Sequence, residues 1–449
     1  MPKPTRKVLM LTRRYPPYNA VESTRPAMFA KYLGDYDWEP LVVCGHYDRE
    51  NSGDRYDADL LPESLEHVIC PLPPGDNRLM GEIAADVRMG MRRQLTLSPR
   101  AWLTLPGRVG RFVRDNAKDI SLWAADNLLP ERHPFAFTRS LMAALPELIA
   151  RHRPDVIWAT SPPAGPHTAA AWAGRKFSIP WVADFRDILE QDSVWKSRRT
   201  EPQRRWARAR ETRVARSAAA AVAVSPVLAP ILGRRLRRRV EVIPNGADIH
   251  DYPSSPPVLD SDFTISYTGW VYIPQQDPGL LFAAIDKLLR TGKLQPERLS
   301  VKFYGCHAAA VNSIAARYEC APCVQVLPTV PRAVCHRIQR TSQILLLLEV
   351  GQEKGIYPGK VFEYLAARRP ILSIPGGGGC VDALLAETHA GVSCSTIDDI
   401  CKTLTKGYQT WTRTGQVPYH GRAEVIAKYS WPKQTHLLAE VLDQARLRG

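Results

Sequence analysis

Lys360 and Glu363 are the two residues whose types and spacing best suit chemistry. They lie in YPGKVFEYLAARRPIL, residues 357–372, where a loop containing proline and glycine leads into a helical pattern. A helix start offers free backbone N–H groups and a positive dipole end to a diphosphate, and Lys360 adds a point charge there. Glu363, one turn later, can accept hydrogen bonds from both hydroxyls of a ribose. Taken alone, the two side chains could instead form a surface ion pair worth roughly 0.2–0.5 kcal/mol.

Turn-forming residues follow two further predicted strands. Asn245 and Gly246 in VEVIPNGAD come directly after a strand, where glycine lets the backbone approach a ligand. The loop PGGGGC, with Gly377 near its centre, follows another strand and offers the same freedom. A plain turn and a flexible loop would use the same residues, so these alternatives stay open.

The first half of the chain places Tyr18 and Arg25 after its first predicted strand. Tyr18 lies in the loop, and Arg25 lies at the start of the following helical pattern. Arg25 can grip a phosphate with its planar fork of donors, or it can pair with a carboxylate at the edge of the core. Both roles fit the sequence.

Four polar residues lie at or after the ends of two other predicted strands in the first half of the chain. His167 in SPPAGPHTAA lies at a strand-to-helix junction, where it could contact a bound sugar or serve only the core. Asp184, Arg186 and Asp187 in ADFRD follow the next strand. Their charges could bind a substrate, or pair with one another and stiffen the loop.

Short apolar runs alternate with longer helical patterns along most of the chain, as is typical of βα units stacked into parallel sheets. Helical patterns cover residues 25–33 and 140–152, among others. The predicted strands are 7–12, 40–44, 155–160, 181–184 and 219–224 in the first half, and 264–268, 300–304, 324–327, 344–348 and 370–374 in the second. Ligands of such sheets bind outside the carboxyl ends of the strands.

The proline-rich stretch YPSSPPVL, residues 252–259, separates the two series. The sequence therefore predicts an α/β protein of two Rossmann-like, doubly wound domains that face a cleft, over residues 1–250 and 260–430. A helix over residues 431–449 is expected to pack back towards the N-terminal domain. Residues 74–134, rich in Arg and Trp, are predicted to be a helical insertion, which either lies on an anionic membrane or caps its own domain.

Composition limits the classes of partner that the chain is expected to bind. The net charge of +15 favours anions, but the arginines are dispersed and no nucleic-acid-binding motif appears, so a nucleic acid is not expected. The nine cysteines show no repeated spacing, which argues against a disulfide framework, and Cys320 and Cys323 lack a second pair to complete a zinc site. Because no apolar run approaches roughly 18–20 residues, we expect a cytoplasmic chain whose only membrane contact is peripheral.

Several motifs in fixed order resemble one family. VIPNGAD, YTG, FYG and KVFEYLAARRPIL resemble the C-terminal half of family-4-like glycosyltransferases, which have the GT-B architecture of two Rossmann-like domains. RRYPPYNAVESTRPAMFAKYL, PDVIWATSPPAGPHTAAAWA and PWVADFRDILEQD resemble their N-terminal half. The resemblance covers nearly the whole chain apart from the predicted insertion.

The resemblance implies retaining, metal-independent transfer of a hexosyl or related sugar from a UDP- or GDP-sugar to a polysaccharide, glycolipid or metabolite. It implies no cofactor, because the sugar nucleotide is a co-substrate. The implied donor-binding residues are Asn245, Gly246, Gly269, Lys360, Val361, Glu363 and Gly377. The implied acceptor-binding residues are Tyr18, Arg25, Arg186 and Asp187, and the implied catalytic residues are His167 and Asp184.

Two departures from the family pattern concern the donor site. Relatives carry a first glutamate eight positions before the second, where this chain has Gly355, and Glu353 would need a shifted loop to replace it. Relatives also place a cation after the first strand of the C-terminal domain, where this chain reads GWVYIPQQDPG; Lys354 could compensate. These departures motivate a second hypothesis, a non-catalytic GT-B-fold subunit that binds a sugar nucleotide or a second transferase. Epimerase chemistry on the same fold is a further alternative.

Overall fold

The computed structural model describes residues 6–16, 21–45, 67–70, 132–188, 200–248, 252, 255, 257–350 and 354–448. Within these ranges the first sheet has seven strands in the order β3-β2-β1-β4-β5-β6-β7, and all its pairs are parallel. The strands are β1 Arg6–Leu11, β2 Trp38–Gly45, β3 His67–Cys70, β4 Val156–Ser161, β5 Trp181–Phe185, β6 Ala220–Ala223 and β7 Glu241–Val242. The accompanying helices are α1 Val21–Leu33, α2 Arg132–His152, α3 Gly165–Phe177, α4 Glu201–Ala215 and α5 Leu228–Leu236.

The second sheet repeats this plan with six parallel strands in the order β10-β9-β8-β11-β12-β13. Its strands are β8 Phe263–Thr268, β9 Leu299–Tyr304, β10 Val324–Leu327, β11 Ile344–Leu348, β12 Ile371–Ile374 and β13 Gly391–Ser393. Its helices are α6 Gly279–Arg290, α7 Ala308–Ala315, α8 Arg332–Thr341, α9 Lys360–Ala367, α10 Cys380–Thr388, α11 Ile397–Thr414 and α12 Ala423–Ile426. The last helix, α13, spans Trp431–Leu447.

The strands are apolar on both faces because helices cover both sides of each sheet. Along β1, Val8 and Met10 join one hydrophobic cluster, whereas Leu9 and Leu11 join another on the opposite face. Strand β11, ILLLL, divides its leucines between two clusters in the same way. The predicted α/β fold of two doubly wound sheets is confirmed. The strands β3 and β13 were not predicted, and of β7 only its place before Asn245 was predicted.

The last helix returns to the first sheet. Trp431 at its start packs edge-on against Phe29 of α1, with ring centroids 5.6 Å apart. Near its other end, Asp443 forms an ion pair with Arg6 of β1. The predicted insertion at 74–134 lies outside the described residues, apart from residues 132–134, which belong to the first turn of α2.

Both sheets reverse their strand order at one point. The reversal lies between β1 and β4 in the first sheet and between β8 and β11 in the second. At such a point the loops leave the carboxyl ends of neighbouring strands towards opposite faces and open a crevice. The residues that follow β8 and β11 therefore occupy the expected place for a ligand site in the second sheet, and those after β1 and β4 do so in the first.

Candidate active site

The crevice of the second sheet brings Gly269 and Lys360 together. Gly269 follows β8 with φ of 104°, a left-handed conformation that glycine adopts without strain. Its backbone lies beside the lysine, because a Cβ built on Gly269 would be 3.4 Å from Lys360 Nζ. Helix α9 begins at Lys360, directly after Pro358 and Gly359, so the predicted helix start is where the sequence placed it.

Tyr267 holds the ammonium of Lys360. The lysine Nζ donates to the Tyr267 hydroxyl and lies 3.7 Å from the centroid of the tyrosine ring, a cation–π contact. The hydroxyl in turn donates to the Trp270 carbonyl over 2.7 Å. Burial lowers the pKa of Lys360 to about 7, against a smaller opposing effect of its neighbours Cys306, Glu363 and Cys335.

Two of those neighbours, the thiols of Cys306 and Cys335, add no charge near neutral pH. Burial raises the pKa of the Cys306 thiol to about 11 and that of Cys335 to about 12, so both thiols stay protonated there. A diphosphate next to Lys360 would add negative charge and favour the ammonium. The lysine is therefore suited to take up a proton when such a ligand binds.

This coupling predicts a pH dependence of nucleotide binding. In the free protein Lys360 loses its proton as the pH rises through about 7, and the bound form keeps it to higher pH. The affinity for a nucleoside diphosphate should then fall above pH 7, by up to about tenfold per pH unit, and level off below it. Calorimetry at pH 6.5, 7.5 and 8.5 measures this slope. The variant Lys360→Arg stays charged and should lose the slope; an equal slope in both proteins would contradict the assignment.

Glu363 lies one turn along α9 and is held by Gln339 of α8. The Gln339 amide nitrogen donates to Glu363 Oε2 over 3.3 Å and to Thr268 Oγ1 over 3.1 Å. The ammonium of Lys360 donates to the Tyr267 hydroxyl, and the Glu363 carboxylate accepts from the Gln339 amide. The simple surface ion pair between Lys360 and Glu363 is therefore not what the structure shows. Sequence analysis found neither Tyr267 nor Gln339 as a site residue.

Val361, another predicted donor residue, points its side chain into the core between α9 and the second sheet. Its backbone N–H donates to the Pro358 carbonyl over 2.9 Å, which tightens the first turn of α9. Both its side chain and this N–H are used within the protein, and the role of Val361 in donor binding stays a prediction.

The glycine loop after β12 packs on the loop after β11. A Cβ on Gly379 would lie 2.8 Å from the Lys354 carbonyl oxygen, and the Cys380 N–H donates to that oxygen over 2.8 Å. Close backbone approach is thus required here, and it brings the glycine loop against the backbone of Lys354. Gly377 lies in the same loop, partly exposed, and its contact with a donor stays a prediction.

A partly buried carboxyl that was not predicted as a site residue lies at the end of β11. Glu349 accepts a hydrogen bond from the Ser373 hydroxyl over 2.5 Å, and its own N–H donates to Ile374 O over 2.8 Å. Burial raises the pKa of Glu349 to about 7. The residue joins the carboxyl ends of β11 and β12 beneath the glycine loop.

The loop GWVYIPQQDPG, which lacks the family's cation, is fixed by Gln276. Its amide donates to Leu348 O over 2.8 Å and accepts from the Tyr272 N–H over 3.0 Å. Because both ends of this amide are used, Gln276 holds the loop in place. Lys360 is therefore the cation that the described part of this crevice offers next to Gly269.

Asn245 and Gly246 lie where the chain crosses between the two sheets. A Cβ on Gly246 would meet Tyr429 O and Trp431 N at 2.9 Å, so glycine is required for the close crossing of two backbone segments. Asn245 Oδ1 accepts a hydrogen bond from Arg25 over 3.1 Å. These contacts explain both residue types, and a role of either residue in donor binding stays a prediction.

Arg25 and Asp184 form a buried ion pair at the crevice of the first sheet. Arg25 Nη2 lies 2.6 Å from Asp184 Oδ1, and the side chains are 1% and 0% exposed. The aspartate also accepts from Thr160 over 2.7 Å, and Arg25 donates to Pro244 O over 3.1 Å. Of the two roles that the sequence left open for Arg25, the structure shows pairing with a carboxylate.

His167 lies inside the first sheet's helical layer. Its Nε2 is 3.0 Å from Ala159 O and 3.1 Å from Asp184 O, and its ring packs against Trp181 and Phe185. Burial lowers the pKa of His167 to about 4, so the ring is neutral at physiological pH with its proton on Nε2. These contacts give both His167 and Asp184 a structural role, and a catalytic role for either stays a prediction.

Arg186 follows the end of β5, and its side chain lies in a group of charged residues near the start of α1. It donates to the Pro162 carbonyl and lies 3.5 Å from Glu22, which also pairs with Arg14 over 2.6 Å. Asp187 accepts a hydrogen bond from the Ile188 N–H over 2.6 Å. The ion-pair partners found for Asp184 and Arg186 are Arg25 and Glu22, and binding of a substrate by Arg186 and Asp187 stays a prediction. Tyr18 lies outside the described residues.

Comparison with known families assigns the first half of the chain. Residues 23–246, about half of the sequence, match the model of the glycosyl transferase 4-like domain. The chain belongs to the family-4-like glycosyltransferases. The matched range contains the Arg25–Asp184 pair, His167 and Arg186, so the crevice of the first sheet is the part of this glycosyltransferase that the family describes. No curated protein matches the chain in sequence.

Solved structures similar to this glycosyltransferase share its GT-B fold over nearly the whole chain. HepE from Anabaena in complex with UDP-glucose has a TM-score of 0.60 at 13% identity, covering 97% of this chain and 99% of its own. Sucrose-phosphate synthase from Thermosynechococcus elongatus has a TM-score of 0.63 at 12% identity, covering 98% of both chains. The lipopolysaccharide outer core galactosyltransferase WaaB has a TM-score of 0.56 at 12% identity, covering 97% and 99%.

Neither a metal-binding cluster nor a membrane-spanning helix is found in the described part of the glycosyltransferase. Across the described residues, no three or more His, Cys, Asp or Glu side chains come together in a way that could hold a metal ion. Among the helices that the structure describes, none combines the length and apolarity needed to cross a membrane. The independence from metal and the absence of a cofactor stay predictions.

Proposed function

We propose that this glycosyltransferase transfers a sugar from a UDP-sugar, with retention of configuration, to a polysaccharide, glycolipid or metabolite acceptor. One observation carries the proposal: Lys360 lies at the start of α9 beside Gly269, at the carboxyl ends of β8 and β11. A cation, a helix start and a glycine backbone meet at the place where doubly wound sheets bind nucleotides. HepE, which shares the fold, was solved with UDP-glucose. This favours a uridine nucleotide over a guanosine nucleotide as the donor.

The residues of the chain supply what a departing nucleoside diphosphate needs. Positive charge and backbone N–H groups stabilise the developing charge on the leaving phosphate. Lys360 provides the charge and becomes fully protonated as the diphosphate approaches. Glu363 faces the same crevice and can accept hydrogen bonds from ribose hydroxyls. The departing diphosphate can accept the proton of the acceptor hydroxyl. The proposal therefore requires no protein nucleophile.

A thermal-shift screen tests the donor class. UDP and at least one UDP-sugar should raise the melting temperature by a few degrees, because a ligand at 100 times its Kd adds about 2.7 kcal/mol to stability. GDP, ADP and their sugars serve as the comparison set. A shift with UDP and UDP-sugars supports the proposal, and a screen in which no nucleoside diphosphate shifts the protein contradicts it.

The alternative of a non-catalytic subunit rests on Gly355, which stands where relatives carry the first glutamate. It predicts the same thermal shift without release of UDP across a broad panel of acceptors. Turnover with any acceptor excludes it. Peripheral contact with an anionic membrane is also a proposal, since the predicted insertion that would make it lies outside the described residues.

A further inference from the structure

The fully buried amide of Gln339 lies behind the predicted ribose site. Gln339 belongs to α8 and is 0% exposed. Its amide nitrogen reaches three acceptors: Thr268 Oγ1 at 3.1 Å, Glu363 Oε2 at 3.3 Å and Cys335 Sγ at 3.4 Å. The two N–H protons are thus directed towards the end of β8 and the carboxylate on α9.

Tyr252, from the segment between the two sheets, binds the other end of this amide. Its hydroxyl donates to Gln339 Oε1 over 2.8 Å, and its ring stacks on His336 with centroids 4.6 Å apart. Were the amide turned over, its oxygen would face the Glu363 carboxylate, and two acceptors would be left opposite each other. The carboxylate therefore selects the orientation in which Gln339 donates to Glu363, and the Tyr252 hydroxyl, which can donate or accept, donates to the amide oxygen on the other side.

Helix α9 is tied to β8 at the adjacent residue as well. The Tyr364 hydroxyl accepts from the Thr268 N–H over 3.0 Å, so Glu363 extends from a fixed helix. One lone pair of its carboxylate is used by Gln339, which restricts rotation of the carboxylate and leaves other lone pairs for ligand hydroxyls. A restrained carboxylate loses less entropy on binding than a freely rotating one.

We propose that Gln339 is a positioning residue that orients Glu363 towards the ribose hydroxyls of the donor, and that Tyr252 holds the other end of the Gln339 amide in place. This inference rests on the proposed function, because it needs a nucleotide donor. It adds a specific consequence: discrimination between ribose and deoxyribose depends on two residues that do not touch the nucleotide.

The test compares the affinities for UDP and 2′-deoxy-UDP, measured by calorimetry. The wild-type protein should bind UDP at least about tenfold more tightly, because a hydrogen bond to a charged group is lost in the deoxy compound. In Gln339→Met, which keeps the size of the side chain but cannot donate, this ratio should fall to within about threefold of one. Tyr252→Phe removes a single hydroxyl and should give an intermediate ratio.

Gln343→Met is the matched control. Gln343 is another fully buried amide, but it donates to Asp260 O and Gly415 O, away from Glu363. Its replacement should lower stability and leave the ratio at the wild-type value. An unchanged ratio in Gln339→Met, or an equal loss of affinity for both nucleotides, would overturn the proposal. If that variant does not fold, Tyr252→Phe replaces it in the test, and a wild-type ratio there overturns the proposal.

The outcome is separable from that of the proposed function. If the wild-type protein binds GDP and not UDP, the uridine assignment fails, and the comparison of GDP with 2′-deoxy-GDP still tests Gln339. If it binds no nucleoside diphosphate, both proposals fail together. Tight binding of UDP with no preference over 2′-deoxy-UDP leaves the proposed function standing and overturns this inference alone.

Discussion

Replacing Lys360 by alanine is expected to lower kcat/KM for sugar transfer by about a hundredfold or more. The ammonium lies beside Gly269 at the start of α9, and it is the cation next to that glycine in the described crevice. Removal of one preorganised donor to a developing negative charge costs about 10²–10³ in rate, or about 2.7–4 kcal/mol. Release of UDP from a UDP-sugar in the presence of an acceptor measures the effect.

The effect should appear more strongly in kcat than in KM, because charge on the diphosphate grows as the bond to the sugar breaks. Lys402→Ala on α11, which removes an exposed lysine of the same half of the chain, is the control and should change little. Lys360→Arg keeps the charge and should recover part of the activity. Unchanged transfer by Lys360→Ala would refute the site.

The positions of the donor residues could be predicted because the strand order of a doubly wound sheet fixes which loops meet. The segment after β8 and the helix start after β11 must converge, since these strands are neighbours at the reversal of order. Gly269 and Lys360, 91 residues apart by their numbers, were assigned to one site through the family resemblance of the motifs that contain them, and the strand order gives the physical reason why they meet. The contact between them confirms that they lie together.

The side chains that hold these residues could not be predicted in the same way. Tyr267 lies in a buried strand and Gln339 near the end of an ordinary amphipathic helix, so local pattern explains both residues without any reference to a site. Their partners are 93 and 24 residues away in sequence. Nothing in the spacing indicates that a buried hydroxyl meets Lys360 or that a buried amide meets Glu363.

Gly246 shows a different limit of sequence analysis. A glycine after a strand correctly indicated close approach of the backbone, but the structure places the segment from Tyr429 to Trp431 against it. The same physical requirement, absence of a Cβ, serves a chain crossing as well as a ligand. A single sequence does not distinguish these two partners, because the crossing depends on where the last helix packs.

Replacing Arg25 by methionine is expected to lower the free energy of unfolding by about 3–5 kcal/mol. The guanidinium and the Asp184 carboxylate are 2.6 Å apart and fully buried, so loss of one charge leaves the other without compensation in a medium that solvates it poorly. Asp184→Leu should be similarly destabilising. Urea denaturation followed by tryptophan fluorescence measures the loss, and nucleotide binding by the folded fraction should be retained, because the pair lies at the other sheet.

The surface ion pair Lys287–Asp398 is the control that distinguishes the effect of burial on stability from the effect of a short distance between the charges. Its atoms are 2.7 Å apart, almost as close as those of Arg25 and Asp184, but its side chains are 53% and 70% exposed. Lys287→Met should therefore leave the free energy of unfolding almost unchanged. The double variant Arg25→Met, Asp184→Leu removes both buried charges and should be more stable than either single variant, since the penalty comes from the unpaired charge. A double variant as unstable as the sum of the two single ones would show that Arg25 and Asp184 contribute mainly through their separate bonds to Pro244, Asn245 and Thr160.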